Sequence, residues 1–126
     1  MIPAQNRPVY LNLLRIRQPV TAILSILHRI TGVLMVLLLP GLIYLLGLSL
    51  ESAEGFSRVA GLVNSSLAKL LAVLLSWVLA HHLLAGIRFL LLDIDLGVSR
   101  TRARHTAWLT HGLALVSALL VGGYLL

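Results

Sequence analysis

Two adjacent histidines, a glycine and an arginine lie within one long apolar stretch, AHHLLAGIRFLLLD, from Ala80 to Asp93. Imidazole and guanidinium groups are costly to bury in hydrocarbon, so inside a membrane they face a partner and commonly mark a functional site. With helical geometry, His82, Gly86 and Phe89 share one face. His81 points about 100° away from that face. The stretch therefore predicts a ligand site beside His82.

A haem is the ligand that this arrangement favours. Neutral imidazole is a common axial ligand of haem iron, and a glycine one turn from His82 leaves room for a flat macrocycle. The alternative role of such a histidine is only to form hydrogen bonds between helices. This alternative stays open for His82, and we adopt it as the interpretation of His81. His111 has a similar depth and is an alternative second ligand, although a partner chain could equally supply one. His105 follows an arginine cluster and is interpreted as an interfacial residue.

Another polar group, Ser25, His28 and Arg29, lies near the start of the first apolar stretch. Ser25 and Arg29 are one helical turn apart, so they share a face at a separation of about 6 Å along the axis. Their hydroxyl and guanidinium predict a site for the polar head of a lipid-soluble molecule, with a carbonyl or carboxylate as the bound group. Arg29 also has the depth to meet a haem propionate. The spacing leaves an alternative equally open. In it, the Arg29 side chain extends to a lipid phosphate and the Ser25 hydroxyl hydrogen-bonds to the backbone of its own helix.

The composition places these residues in an integral membrane protein. Apolar residues make up 59% of the 126, charged residues 11%, and the mean hydropathy is +0.98; soluble domains are about half apolar and about a quarter charged. The net charge of +6 gathers at span ends and loops without interleaved aromatic residues, which excludes a nucleic-acid-binding surface. With no cysteine, the chain cannot supply a disulfide or an iron–sulfur ligand.

Three apolar runs predict an all-α fold, a single membrane domain over 1–126 with three transmembrane helices at about 21–48, 67–92 and 105–126. The uncharged core of the first, 32–50, would be about 28 Å long as a helix, close to the hydrocarbon thickness of a bilayer. Segments 49–66 and 93–104 are predicted loops.

Lys and Arg are distributed unevenly between the two ends of the spans. The arm 1–20 and the segment 93–104 are rich in arginine, whereas 49–66 is nearly neutral. The arm lacks the order of a cleavable signal peptide, so we interpret it as retained. By the positive-inside rule, the N terminus is predicted to be cytoplasmic and the C terminus to lie outside.

Two sequence motifs indicate a resemblance to a known protein family. The first, S-x-x-H-R-x-[ST]-G, lies within RPVYLNLLRIRQPVTAILSILHRITG from Arg7 to Gly32, and the second, H-x-x-x-G-[IV]-R, within HLLAGIRFLLLD from His82 to Asp93. Together with the order of the three spans, they resemble the cytochrome b membrane-anchor subunit of bacterial succinate dehydrogenase. Phe89 departs from the pattern, since many relatives have histidine there. His81 and His111 are also additions to it.

The resemblance implies a helical bundle completed by a second membrane-anchor subunit, in the bacterial inner membrane, with an iron–sulfur subunit and a flavoprotein subunit on the cytoplasmic face. It implies haem b with His82 as one axial ligand and the partner anchor supplying the other, and it places His28 and Arg29 near the haem propionates. Ser25 and Arg29 are implied to help form the ubiquinone site. The chain would then serve succinate:quinone oxidoreductase, passing electrons from succinate to ubiquinone without being catalytic on its own.

Other functions remain open from the sequence. One alternative is a cofactor-free structural anchor, and another is the equivalent subunit of a fumarate reductase. A small transporter module is weaker, because such folds usually show internal repeats and broken helices, and only Pro40-Gly41 hints at a break.

Overall fold

The computed structural model describes residues 16–126, and this part of the chain is helical without β-strands. It contains four helices: α1 (Val20–Glu51), α2 (Ala53–Val63), α3 (Ser66–Asp93) and α4 (Arg100–Leu125). Three of them, α1, α3 and α4, are long and apolar enough to cross a membrane. The predicted all-α membrane class with three spans is therefore confirmed. Most of the predicted arm 1–20 lies outside the described residues.

The helices begin where local chemistry favours a start. Pro19 precedes α1, and its carbonyl oxygen accepts hydrogen bonds from the backbone N–H groups of Ala22 and Ile23. Proline, which has no N–H, is tolerated at this N-cap position because an N–H there would not take part in the helical hydrogen bonds that follow. Ser65 precedes α3, and its hydroxyl oxygen accepts from the N–H of Ala68. Helix α1 continues through Pro40.

The prediction of a loop over 49–66 is wrong, since most of this segment is helical. Helix α1 runs on to Glu51, Ser52 breaks it with an extended backbone, and the Ser52 hydroxyl caps α2 by accepting from the N–H of Gly55 at 3.0 Å. A Cβ at Gly55 would lie 2.2 Å from the Leu48 carbonyl oxygen, so only glycine permits this close approach. The short helix was missed because its mixed polar and apolar residues average to a neutral segment.

The third span also begins earlier than predicted. Helix α4 starts at Arg100 rather than at residue 105, so the arginine cluster forms its first turn instead of a loop. The predicted start at residue 105 was placed directly after the last charged residue of the cluster. Arginine is nevertheless a good helix former, and its side chain can extend toward the membrane surface.

Helices α1 and α3 each contact the other three helices, and the most extensive helix pair is α3 with α4. Small buried residues line the interface of α3 with α4, namely Ala85, Ala107, Ala114 and Ala118. Small side chains allow helix backbones to approach closely, which is how membrane helices pack without a hydrophobic driving force. By contrast, only Leu24 and Thr31 are buried in the 32 residues of α1. Helix α1 therefore presents most of its surface to lipid or to another subunit.

Candidate functional site

The rings of His28 from α1 and His82 from α3 stack on each other, with centroids 4.1 Å apart and planes within 14°. Gly32 permits the close approach of the His82 ring to α1, whereas the space at Gly86 would hold a Cβ in ordinary van der Waals contact with His28. A Cβ at Gly32 would lie 3.0 Å from Cε1 of His82, and one at Gly86 would lie 3.5 Å from Nε2 of His28. The space beside Gly86, which was predicted to accommodate a macrocycle, is taken by His28.

The Nδ1 atom of His82 is held by two oxygen atoms of α1. It lies 3.1 Å from the backbone carbonyl oxygen of His28 and 3.2 Å from Oγ1 of Thr31. A carbonyl oxygen only accepts hydrogen bonds, so Nδ1 carries the proton and donates it. In a neutral imidazole the other nitrogen, Nε2, then has the free lone pair. Nε2 of His82 therefore has the lone pair that a metal ligand requires.

An open groove of about 480 Å³ lies against this ring, and we call it the His82 groove. Apart from His28, Arg29 and His82, its walls are apolar; the lining residues are His28, Arg29, Gly32, Val33, Val36, Leu37 and His82. A separate open groove of about 500 Å³ also includes His82 and is formed mainly by residues of α3 together with Met35. His82 thus borders two open, largely apolar spaces.

The residues predicted to bind a quinone, Ser25 and Arg29, are both accessible. Arg29 is exposed and lines the His82 groove, whereas Ser25 is half-buried one turn earlier and is not among the groove's lining residues. Within residues 16–126, neither side chain takes part in a hydrogen bond or an ion pair. The alternative in which Ser25 bonds its own helix is therefore not observed there.

His81 lies at a different helix interface from His82. Its side chain is 0% exposed between α3 and α4, and its ring centroid lies 5.2 Å from those of both Trp77 and His111. Both ring nitrogens of His81, and Nε2 of His111, are buried without a hydrogen-bond partner in the described part of the chain. The structure thus brings His111 to His81, while the polar contacts of the His82 ring come from α1. His111 as a second ligand opposite His82 gains no support from this packing.

Arg88, the last residue of the second motif, joins α3 to α4. Its side chain is 7% exposed; Nε donates to Oγ1 of Thr106 at 3.0 Å and Nη2 donates to the carbonyl oxygen of Ala103 at 3.0 Å. The guanidinium also lies 5.5 Å from the centre of the Phe89 ring, which packs against the His28 ring in a T-shaped arrangement. Sequence reasoning missed this role, although a motif arginine inside an apolar stretch signals that some partner is needed.

The Arg88 contact leads to a testable expectation. Thr106→Val keeps the side-chain shape but removes the acceptor for Nε of Arg88, which leaves a buried charged donor unpaired. Such a loss typically costs about 1–3 kcal/mol. We expect the detergent-solubilised complex to have a lower Tm, whereas Thr106→Ser, which retains the hydroxyl, stays near wild type. Equal melting of the valine variant and wild type would contradict the assigned role of Arg88.

Known proteins similar to this chain agree with the motifs. Residues 3–121 match the family described as the succinate dehydrogenase/fumarate reductase transmembrane subunit. The chain is 34% identical over 118 residues to the succinate dehydrogenase cytochrome b556 subunit of Coxiella burnetii, covering 93% of this chain and 94% of that protein. It is 32% identical over 102 residues to the subunit of the same name from Paracoccus denitrificans, covering 81% and 78% respectively. The chain therefore belongs to the family of transmembrane subunits of succinate dehydrogenase and fumarate reductase.

Proposed function

We propose that this chain is a succinate dehydrogenase anchor that binds haem b through Nε2 of His82 and helps form the site of ubiquinone reduction. The observation that carries the proposal is the pair of α1 oxygens at Nδ1 of His82, which leaves Nε2 free beside an open apolar groove. The names of both relatives include cytochrome b556, and a b-type cytochrome is a haem protein.

The residues around His82 fit a haem. Imidazole supplies an iron ligand, the walls at Val33, Val36 and Leu37 suit an apolar macrocycle, and Arg29 offers a guanidinium for a propionate. His28 also lies in the proposed vicinity of the propionates. When bound, the haem would accept and donate single electrons. His82 would hold the haem from this chain, and the partner anchor subunit would supply a second iron ligand, as the family resemblance implies.

Ser25 and Arg29 are the proposed quinone-binding residues. A quinone carbonyl accepts hydrogen bonds, and it gains negative charge during reduction. The Ser25 hydroxyl and the Arg29 guanidinium are donors without partners in the described part of the chain, and a positive charge near the carbonyl stabilises the developing anion. A guanidinium has five N–H donors, so Arg29 can serve both the quinone and a haem propionate.

The remaining parts of the reaction belong to other subunits. The chain contains no cysteine to ligate iron–sulfur clusters, so we assign the clusters to an iron–sulfur subunit. We assign the flavin that oxidises succinate to a flavoprotein subunit, as the family resemblance implies. The exposed surface of α1 suits a second anchor subunit that completes the bundle. The arginine distribution supports a cytoplasmic N terminus in the bacterial inner membrane, with the soluble subunits on that side.

Purification of the tagged chain from its native membrane tests this proposal. We expect a flavoprotein and an iron–sulfur subunit to copurify, succinate–ubiquinone reductase activity, and a b-type α band in the reduced-minus-oxidised spectrum. The same partners without a Soret band would overturn haem binding and favour a cofactor-free structural anchor. Quinol–fumarate activity that greatly exceeds succinate oxidation would instead assign the chain to a fumarate reductase.

A further inference from the structure

Thr31 links the two helices that form the haem site. It is 1% exposed, and its Oγ1 lies 2.9 Å from the carbonyl oxygens of Leu27 and His28 and 3.2 Å from Nδ1 of His82. The single hydroxyl hydrogen is donated to a carbonyl of α1, so the Oγ1 lone pairs are available to accept the proton of Nδ1. A buried hydroxyl thus connects the α1 backbone to an imidazole that belongs to α3.

The orientation of the His82 ring is consequently set by α1. Rotating the ring by half a turn would remove Nδ1 from both Thr31 and the His28 carbonyl and would place a carbon atom against them. The His28 ring, stacked at 4.1 Å, covers one face and holds the plane. Both the tautomer and the direction of Nε2 therefore depend on residues of another helix.

Gly32 determines how closely the ring approaches α1. A Cβ at this position would lie 3.0 Å from Cε1 and 3.5 Å from Nδ1 of His82. The first distance is tighter than van der Waals contact, so a methyl group would push the ring away from its two acceptors. Thr31 and Gly32 are also the last two positions of the first motif, S-x-x-H-R-x-[ST]-G.

We infer that Thr31 and Gly32 are positioning residues for the axial ligand, Thr31 through the hydrogen bond to Nδ1 and Gly32 through the space it leaves. This inference rests on the proposed ligation of haem by His82. A hydrogen bond from the outer nitrogen of a ligating imidazole raises the basicity of the inner one. Stronger donation stabilises ferric over ferrous iron, so the Thr31 hydroxyl lowers the midpoint potential of the haem.

The test uses Thr31→Val in the whole membrane complex, with Thr31→Ser as the matched control. Redox titration of the α band is expected to give a higher midpoint potential in the valine variant and a value near wild type in the serine variant. Low-temperature EPR of the ferric haem is expected to show shifted g values for valine only. Succinate–dye activity per flavin, which does not involve the haem site, is expected to be unchanged, and the amount of flavin that copurifies with the tagged chain reports assembly.

Gly32→Ala provides a second variant that leaves the hydroxyl in place. We expect less haem per flavin or altered ferric g values, because the added methyl displaces the His82 ring. If Thr31→Val fails to assemble, Thr31→Ser still tests whether the hydroxyl alone suffices, and Gly32→Ala tests whether the approach to α1 positions the His82 ring.

The outcomes separate this inference from the function on which it rests. An unchanged potential and EPR spectrum in Thr31→Val would overturn the role of Thr31, and so would equal shifts in the valine and serine variants. Wild-type haem content and g values in Gly32→Ala would overturn the role of Gly32. If His82→Ala, measured in parallel, keeps the wild-type haem spectrum, it is the proposed ligation by His82 that fails.

Discussion

His82→Ala is expected to abolish or strongly alter the b-type α band of the purified complex, because the variant removes the proposed iron ligand. Two acceptors on α1 hold the proton of His82 at Nδ1, which leaves the lone pair of Nε2 free. No such acceptors hold a proton on the stacked His28 ring within the described residues. Loss of an axial imidazole leaves the iron misligated or the haem unbound. The measurement is a reduced-minus-oxidised visible spectrum normalised to flavin content.

The neighbouring histidine provides a matched control for this prediction. His81→Phe keeps an aromatic ring between Trp77 and His111 and removes two buried nitrogens that lack partners in the described structure. We expect its α band to match wild type, since His81 faces α4 rather than the His82 groove. A retained band in His82→Ala, or a lost band in an assembled His81→Phe complex, would contradict the ligand assignment.

Arg29→Ala is expected to reduce succinate–ubiquinone reductase activity about 100-fold, the order of loss seen when one preorganised donor to a developing oxyanion is removed. Arg29 is exposed and lines the His82 groove. Within residues 16–126 its guanidinium has no hydrogen-bond or ion-pair partner that would give it a purely structural role. Electron transfer from succinate to a soluble dye bypasses this site, so we expect it to stay at the wild-type rate. Comparing the two rates in the same membranes isolates the quinone step.

Two further variants control for charge alone. Arg29→Lys keeps a cation but loses the planar fork of donors, and we expect intermediate activity. Arg58→Ala removes an arginine that pairs with Glu54 on α2, far along the chain from the proposed site, and we expect unchanged quinone reduction. Wild-type quinone kinetics in Arg29→Ala would count against the proposed role of Arg29.

The loop prediction over 49–66 and the early start of α4 have a common physical cause. A transmembrane helix is recognised by sustained hydropathy, and this signal is lost wherever polar and apolar residues mix. The cap at Ser52 and the contact of Gly55 with the Leu48 carbonyl stabilise α2 through particular atoms, not through average composition. Boundaries near the membrane surface were therefore the least predictable part of the fold.

The amino-acid sequence by itself determined the membrane class, the three spans and the family, and it supplied a short list of candidate polar residues. Hydropathy, charge distribution and helical spacing are local properties, so they can be read without knowing how the helices pack. Sequence motifs favoured His82 over His81, but spacing alone left the two adjacent histidines unresolved.

Only the tertiary structure decided what each polar side chain meets. Thr31 and His82 are 51 residues apart in sequence, and Arg88 finds its acceptors on α4, at Ala103 and Thr106. Such partners depend on how helices are rotated and how closely they approach, and glycines such as Gly32 control that approach. A side chain buried among helices acquires its chemistry from neighbours distant in sequence, because in a largely apolar bundle few polar partners are within reach.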